Sequence, residues 1–350
     1  NAIIAVGLAE LSLRRKNYKV ELTSGVVLAG LCVLLGLAVR APLPAATTNA
    51  ILVQPNLSGE DDADTEPRSF ARPVPLERQL AALTTDVAQR TSGLPVRLVL
   101  WPEAPTSYEM HEPNLQTVLT TLAAEEHVTV IADANSVDSD PSVPRRYRIY
   151  NAAGLFTATG LHARYDKIHL VPFGEFMPFA SLFSFASGLT QQVGLFDRGT
   201  RRFPLSDGQH RYGVFICYES IFPDEVRELA LRGAEVFANL SDDGWYGDTS
   251  APFQHSNMAR MRAIENRRWL LRDTNTGITE SIDPYGNVRG VAPRHQRLAV
   301  ALPFAYRSDL TFYTRHGDIF AWLCAALTAF AIGAGAVGSN GTAEERALTS

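Results

Sequence analysis

Cysteine is scarce in this sequence: its 350 residues include three, Cys32, Cys217 and Cys324. There is no CxxC pair, which argues against a structural zinc site. Cys32 and Cys324 lie in apolar runs near the two ends, so Cys217 is the one cysteine of the central polar region. An isolated thiol cannot form a disulfide within its own domain. Cys217 is therefore either a small core residue or a reactive thiol.

The sequence also lacks an excess of basic charge. Lysine and arginine together number 32, aspartate and glutamate 37, and the formal net charge is -5. Proteins that bind nucleic acid usually present a basic surface, so we predict no nucleic-acid partner. Hydrophobic residues make up 46% of the chain, which is enough for a large core.

Charged residues are absent from two long apolar runs, 22–39 and 319–338, which have 18 and 20 residues. A helix of that length can cross about 30 Å of hydrocarbon, so we predict two transmembrane helices, with buried core helices as the alternative. Basic residues directly before the first run, at 14–16, place that side in the cytoplasm. The region between the runs then faces outward, and the tail after Gly338 returns to the cytoplasm.

These runs divide the chain into three predicted parts. Residues 1–48 form a membrane segment, residues 49–307 form one catalytic domain, and residues 308–350 contain the second transmembrane helix and a cytoplasmic tail. Residues 1–13 resemble the end of an earlier apolar segment. We therefore expect the chain to be a piece of a longer membrane protein.

Strand and helix patterns alternate between the two runs. Short apolar stretches predict strands, and segments with helical apolar spacing predict helices, which together indicate α/β layers. The predicted strands are 49–54, 97–101, 128–132, 211–216, 235–239, 270–274, 277–282 and 298–302, and the predicted helices are 76–90, 115–126, 223–232 and 253–266. The segment 173–196 is rich in Phe, Leu and Met. We expect it to be an arm that contacts lipid, with core packing as the alternative.

Reactive side chains lie in three short stretches of the sequence. Glu103 lies two residues after the strand at 97–101, Cys217 directly follows the strand at 211–216, and YDKIHLVPFGE carries Lys167 and Glu175. Ligands of layered α/β folds gather at the carboxyl ends of strands. Glu103 could remove the thiol proton, and Lys167 could stabilise an oxyanion. Taken singly, they could equally be a turn residue, a surface ion pair and a core thiol.

Histidine is the usual partner of a catalytic cysteine, and two histidines lie near these motifs. Neither His169 nor His255 has a spacing that indicates a base. We interpret both as structural histidines that hydrogen-bond within the fold.

The order of WPEAP, YDKIHLVPFGEFMP and ICYES resembles the nitrilase superfamily. With NLSDDGWYGDTSAPFQH and an apolar run on each side, it resembles more narrowly the apolipoprotein N-acyltransferase family. The resemblance implies an α/β fold, a nitrilase-like αββα sandwich flanked by transmembrane helices. It implies Glu103 as general base, Lys167 as oxyanion stabiliser and Cys217 as nucleophile.

The same resemblance implies that Glu175, Tyr218 and Glu219 are needed in the site. From the residues themselves, Glu175 could hold the Lys167 ammonium. The backbone N–H of Tyr218 could donate to the oxyanion, because this residue follows the nucleophile. Glu219 could position Lys167 or Glu103.

The implied function is transfer of a fatty acyl chain from a phospholipid, through a Cys217 thioester, to the N-terminal amine of a diacylglyceryl-cysteine lipoprotein. The implied location is the bacterial inner membrane, with the catalytic domain on the periplasmic side. No cofactor or metal is expected, and a monomer suffices. The family has about eight membrane helices, whereas this chain shows two and a remnant. The alternatives are a membrane-tethered amidase for small C–N substrates and a non-catalytic membrane scaffold.

Overall fold

The computed structural model describes residues 18–38, 44–57, 75–103, 109–176 and 196–329. The chain divides into two compact units after Pro44. The first contains helix α1 (Tyr18–Ala38), and the second contains all the other elements. Several predicted segments lie outside the described residues: 1–13, the basic residues 14–16, residue 39 of the first apolar run, 177–195 of the apolar arm, 330–338 of the second apolar run and the tail after Gly338.

No helix in the described ranges is both long enough and apolar enough to cross a membrane. Helix α1 covers the first apolar run as far as Ala38, and residues 319–329 of the second run are helical. The two predicted transmembrane helices are therefore not confirmed.

The second unit is built on two sheets of six strands. The strands of the first sheet are β1 (Thr48–Gln54), β2 (Val96–Trp101), β3 (Thr129–Ser139), β4 (Tyr147–Thr157), β5 (Gly160–Asp166) and β12 (Leu298–Phe304). Their order in the sheet is β12-β1-β2-β3-β4-β5. Strands β1, β2 and β3 are parallel, and the other neighbours in this sheet are antiparallel.

The second sheet repeats this arrangement. Its strands are β6 (Leu205–Ser206), β7 (Arg211–Ile216), β8 (Val236–Ser241), β9 (Leu270–Thr274), β10 (Glu280–Ile282) and β11 (Val288–Val291). Their order is β11-β10-β9-β8-β7-β6. Strands β7, β8 and β9 are parallel, and the other neighbours in this sheet are antiparallel. Besides the helical residues 319–329, the described helices of this unit are α2 (Leu76–Arg90), α3 (Pro113–Glu125), α4 (Pro223–Leu231), α5 (Ala251–Asn266) and α6 (Phe312–His316).

Alternating apolar side chains produce four layers. Successive residues of a strand face opposite sides of the sheet. In β2, Leu98 and Leu100 face a core shared with the second sheet, while Val99 and Trp101 pack with α2 and α3. In β7, Val214 and Ile216 face the shared core, and Phe215 packs under α4 and α5. These layers form the predicted αββα sandwich.

Several predicted elements are observed with the same bounds, and others were missed. Helix α2 and strands β7 and β9 match the prediction. The predicted strand 277–282 is shorter, since pairing begins at Glu280. Strand β3 continues to Ser139, seven residues beyond its predicted end, and β4, β5 and β11 were not predicted.

Strand direction brings the three reactive segments to one edge. Strand β5 runs in the same direction as β3, because both are antiparallel to β4. The carboxyl ends of β2 and β5 therefore lie at the same edge of the first sheet, followed by Glu103 and Lys167. The carboxyl ends of β7 and β8 meet this edge, because the Asp242 backbone N–H donates to Glu103 Oε2 over 2.9 Å.

Leu98 tests the packing between the two sheets. We expect Leu98→Ala to lower the free energy of unfolding by about 2–5 kcal/mol, because a fully buried side chain leaves a cavity. Leu94→Ala, four residues earlier and 37% exposed, is the matched control and should cost less than about 1 kcal/mol. Urea unfolding followed by circular dichroism measures both. Equal costs would contradict a sheet-on-sheet core at Leu98.

Candidate active site

A buried ammonium lies at the centre of the site. The Lys167 side chain has no exposed area, and its Nζ lies 2.8 Å from Glu103 Oε1 and 2.8 Å from Glu175 Oε1. Asn151, in the middle of β4, donates its amide to the same two oxygens over 2.8 and 3.0 Å. A buried charge requires such partners, because burial deprives it of water. Glu175 therefore holds the ammonium, as the sequence suggested.

The charges of this cluster stabilise each other. Burial alone raises the pKa of Glu103, but the Lys167 ammonium and hydrogen bonds from Lys167 and Asn151 bring that pKa below its ordinary value. Burial alone lowers the pKa of Lys167, but Glu103, Cys217 and Glu175 hold it well above its ordinary value. Glu103 is therefore a carboxylate, and Lys167 an ammonium, throughout the neutral range.

Cys217 is placed at a sharp turn between a strand and a helical turn. It follows β7 directly, begins the 3-10 turn Cys217–Ile221 and has a φ of 47°, which is unusual for a residue other than glycine. The thiol interacts with Glu103, Lys167 and the Ser241 hydroxyl, and burial followed by the Glu103 charge raises its pKa despite Lys167. The resting thiol therefore keeps its proton beside a carboxylate.

Glu219 stabilises the main chain on both sides of the site. Its Oε1 accepts from the Tyr165 hydroxyl at 2.8 Å and from the backbone N–H groups of Ile168 and His169 at 2.7 and 3.1 Å. Its Oε2 accepts from the backbone N–H of Ile216 at 2.8 Å. The sequence predicted that Glu219 could position Lys167 or Glu103, and the observed contacts are with the main chain beside Lys167. The carboxylate holds the backbone next to Lys167 and next to Cys217.

Tyr218 contributes an aromatic ring and a backbone donor. Its ring packs against the core between the sheets and lies edge-on to Phe222, with centroids 5.2 Å apart. Its N–H belongs to the first residues of the 3-10 turn, where backbone donors have no acceptor within the turn. That N–H remains the predicted oxyanion donor.

A second buried network lies behind Cys217, and the sequence analysis missed it. His255 Nε2 lies 3.1 Å from the Cys217 carbonyl oxygen, and His255 Nδ1 lies 2.9 Å from Asp243 Oδ1. Arg272 Nη2 donates to both oxygens of Asp243 over 2.9 and 2.8 Å. The available signal was the Asp242–Asp243 pair directly after a strand, the same rule that identified Glu103. His255 hydrogen-bonds within the fold, as predicted, and its partners are the Cys217 carbonyl oxygen and Asp243.

Residues 73–305 match the carbon-nitrogen hydrolase family. The chain belongs to this family. Two solved structures have a similar fold. A carbon-nitrogen hydrolase from Helicobacter pylori has a TM-score of 0.52 and 16% identity, covering 73% of this chain and 88% of its own. Nit3 of Saccharomyces cerevisiae, a nitrilase superfamily member, has a TM-score of 0.54 and 18% identity, covering 76% and 93%.

Relatives named apolipoprotein N-acyltransferase have a higher sequence identity to this chain than these two structures have. The protein of Geobacter metallireducens is 37% identical over 234 residues, covering 66% of this chain and 44% of the relative. That of Chlorobaculum tepidum is 30% identical over 270 residues, covering 71% and 51%. The narrower resemblance inferred from the motifs is therefore confirmed. The chain spans about half the length of the curated relatives it matches.

Asp243 should make the stability of this protein depend on pH. Burial raises the pKa of Asp243, but Arg272 and His255 outweigh burial and lower it from 3.8 to about 2. A depressed carboxyl pKa stabilises the fold above the unfolded value and ceases to do so as pH falls through the folded value. We expect the excess stability of the unsubstituted protein over Asp243→Asn to narrow by about 1 kcal/mol between pH 6 and pH 3.

Urea unfolding at a series of pH values measures this difference. The matched control is Asp248→Asn, whose carboxyl is exposed and pairs only with surface residues in the described part of the chain. As a surface substitution, it should change the free energy of unfolding by less than about 0.5 kcal/mol. A constant difference for Asp243→Asn, or one that widens toward pH 3, would contradict the Arg272–Asp243–His255 network.

Proposed function

We propose that this chain carries the catalytic domain of an apolipoprotein N-acyltransferase, which moves an acyl chain from a phospholipid to the N-terminal amine of a lipoprotein. The observation that carries the proposal is the buried cluster of Glu103, Lys167 and Cys217 at one sheet edge. The names of the relatives support the choice of acyl transfer. The distances within this cluster and the chemistry of carbonyl groups support the roles of these residues.

In the first half-reaction, the Cys217 sulfur attacks the ester carbonyl of a phospholipid while Glu103 takes the thiol proton. The carbonyl oxygen becomes an oxyanion, stabilised by the Lys167 ammonium and the Tyr218 N–H. The C–O bond then breaks, and the lysophospholipid oxygen takes the proton from Glu103. A thioester on Cys217 remains.

In the second half-reaction, the α-amine of a diacylglyceryl-cysteine attacks the thioester carbon. Glu103 takes a proton from the amine, and the same donors stabilise the second oxyanion. The C–S bond breaks, and the thiolate takes the proton back from Glu103. The amide product leaves with the acyl chain, and the enzyme returns to its resting state without a cofactor.

The proposal also assigns a role to the apolar arm 173–196 and to the membrane. The thioester survives if water is kept from it, and an apolar cover would do this while admitting acyl chains. Phe173, at the start of the arm, is 62% exposed and adopts a left-handed φ of 63°. Location in the bacterial inner membrane, with this domain on the periplasmic side and monomeric action, belongs to the same proposal.

The first experiment looks for the thioester itself. The chain in detergent micelles is incubated with phospholipid, and acyl masses are sought on the Cys217 peptide by mass spectrometry. We expect an adduct on Cys217 that Cys217→Ala abolishes and that Glu103→Gln slows by about 10²–10⁴-fold. Cys32→Ala and Cys324→Ala are matched controls, because both thiols are exposed and neither should affect the adduct.

The fate of the thioester distinguishes the enzyme classes. Addition of a diacylglyceryl-cysteine peptide should release the acyl chain as an amide, with little free fatty acid. If water releases the chain equally well and small amides are hydrolysed, the protein is an amidase. If no adduct forms on a folded protein with either substrate, the catalytic proposal fails and the scaffold interpretation stands.

The pKa directions predict a broad pH plateau for thioester formation. The Glu103 pKa lies below 4.5, the Lys167 pKa above 10.5 and the Cys217 pKa above 9.0. The base form of Glu103 is lost only in acid, and the ammonium only in alkali. Single-turnover acylation from an ester should therefore change less than about twofold between pH 6 and pH 9. An inflection near pH 6.5 would indicate a histidine base and contradict the assignment of Glu103.

A further inference from the structure

The nucleophile holds a backbone conformation that its own side chain does not favour. Cys217 has a φ of 47°, in the left-handed region where residues other than glycine, asparagine and aspartate are rarely found. Such strain persists at functional sites when the surrounding structure enforces it. The contacts of the Cys217 main chain therefore identify what enforces it.

His255 makes the contact that meets this requirement. Its ring is 7% exposed and projects from α5, and its Nε2 lies 3.1 Å from the Cys217 carbonyl oxygen. A carbonyl oxygen only accepts, so Nε2 must carry the hydrogen. Nδ1 lies 2.9 Å from an acceptor, Asp243 Oδ1, and 3.1 Å from a donor, Arg272 Nη2. Nδ1 therefore has a hydrogen-bond partner both with and without a hydrogen, and Nε2 can carry its hydrogen in either case.

The ring itself is held from behind. Asp243 is fully buried and receives two contacts from Arg272, whose side chain has no exposed area and also donates to Asn239. Asn239 in turn donates to the Phe215 carbonyl oxygen over 3.1 Å. The network therefore returns to β7, the strand directly before Cys217, so the imidazole is fixed relative to the proposed nucleophile.

The Cys217 carbonyl and the Tyr218 N–H belong to one peptide unit. A peptide unit is planar, and in the trans form its C=O and N–H point in opposite directions. A donor that fixes the carbonyl oxygen on one side therefore fixes the direction of the N–H on the other. That N–H is the proposed oxyanion donor, so the effect of His255 reaches the reacting carbonyl without contact with the substrate.

We propose that His255, held by Asp243 and Arg272, is a positioning residue that orients the Cys217–Tyr218 peptide and so directs the Tyr218 N–H at the oxyanion. This inference rests on the proposed thioester chemistry. His255 takes no proton from the thiol in this role, since its Nε2 faces the carbonyl oxygen. Its contribution is confined to steps in which a carbonyl oxygen becomes negative.

Two probes of the same thiol separate this role from a general structural one. Acylation by a p-nitrophenyl ester forms an oxyanion at the attacked carbonyl, whereas alkylation by iodoacetamide displaces iodide from a saturated carbon and forms none. Both rates are measured on Cys217 by mass spectrometry in a Cys32→Ala/Cys324→Ala background. A lost or misdirected oxyanion donor slows the first reaction and leaves the second unchanged.

We expect His255→Leu to slow acylation about 10- to 100-fold and to change alkylation by less than about threefold. His255→Gln keeps an N–H donor at a similar reach, and we expect it to recover most of the acylation rate. His210→Leu is the control histidine variant, because its ring stacks on Tyr306 and pairs with Glu235, away from the site. It should change neither rate.

Three results would overturn the inference. Equal slowing of both reactions in His255→Leu would show general damage to the site. No slowing of acylation would show that the contact is dispensable, and a His255→Gln variant as slow as His255→Leu would show that the donor does not matter. Failure of the proposed function is distinguishable, because the unsubstituted protein would then react with the p-nitrophenyl ester but not with phospholipid.

Discussion

The burial of one ammonium determines how this site is arranged. Lys167 has no exposed side-chain area and lies 2.8 Å from one oxygen of Glu103 and of Glu175. Removal of such a charge from water costs several kcal/mol, and its partners recover little more than that cost, so an apolar cluster would stabilise the fold at least as well. A strongly perturbed, paired and buried group of this kind is typical of functional sites. The segments that bear the three side chains must therefore converge.

Two further polar side chains, Glu219 and His255, bond to the backbone near the ammonium and the thiol. Neither bonds to the ammonium itself. Glu219 accepts hydrogen bonds from the main chain beside Lys167 and beside Cys217, and so couples the ends of β5 and β7. His255 holds the carbonyl oxygen of Cys217. Side chains that bond to backbone define positions more rigidly than flexible ion pairs do, because the backbone moves only with its strand. The thiol and the ammonium thus share one rigid frame.

Site residues at strand ends could be predicted from the sequence, whereas site residues within strands or on distant helices could not. Glu103, Lys167 and Cys217 follow strands or precede turns, where a polar residue after an apolar run is conspicuous. Asn151 lies inside β4, whose NAAG stretch consists of poor strand formers and pairs on both sides through its backbone. Its contact with both carboxylates depends on pairing between distant segments, which local patterns do not reveal. The same applies to His255, which reaches Cys217 from a helix 38 residues later.

The charge of the cluster fits the proposal that a protonated Cys217 thiol is the nucleophile. Glu103 and Glu175 carry two negative charges against one ammonium, so ionising Cys217 alone would add a second net negative charge to a buried site. In the proposed attack of the Cys217 sulfur on a carbonyl, Glu103 takes the proton, so the charge leaves the carboxylate and reappears on the oxyanion. The net charge of the cluster stays the same, and Lys167 exchanges one anionic partner for another. The barrier is thereby lowered for attack on a carbonyl and not for release of a free thiolate.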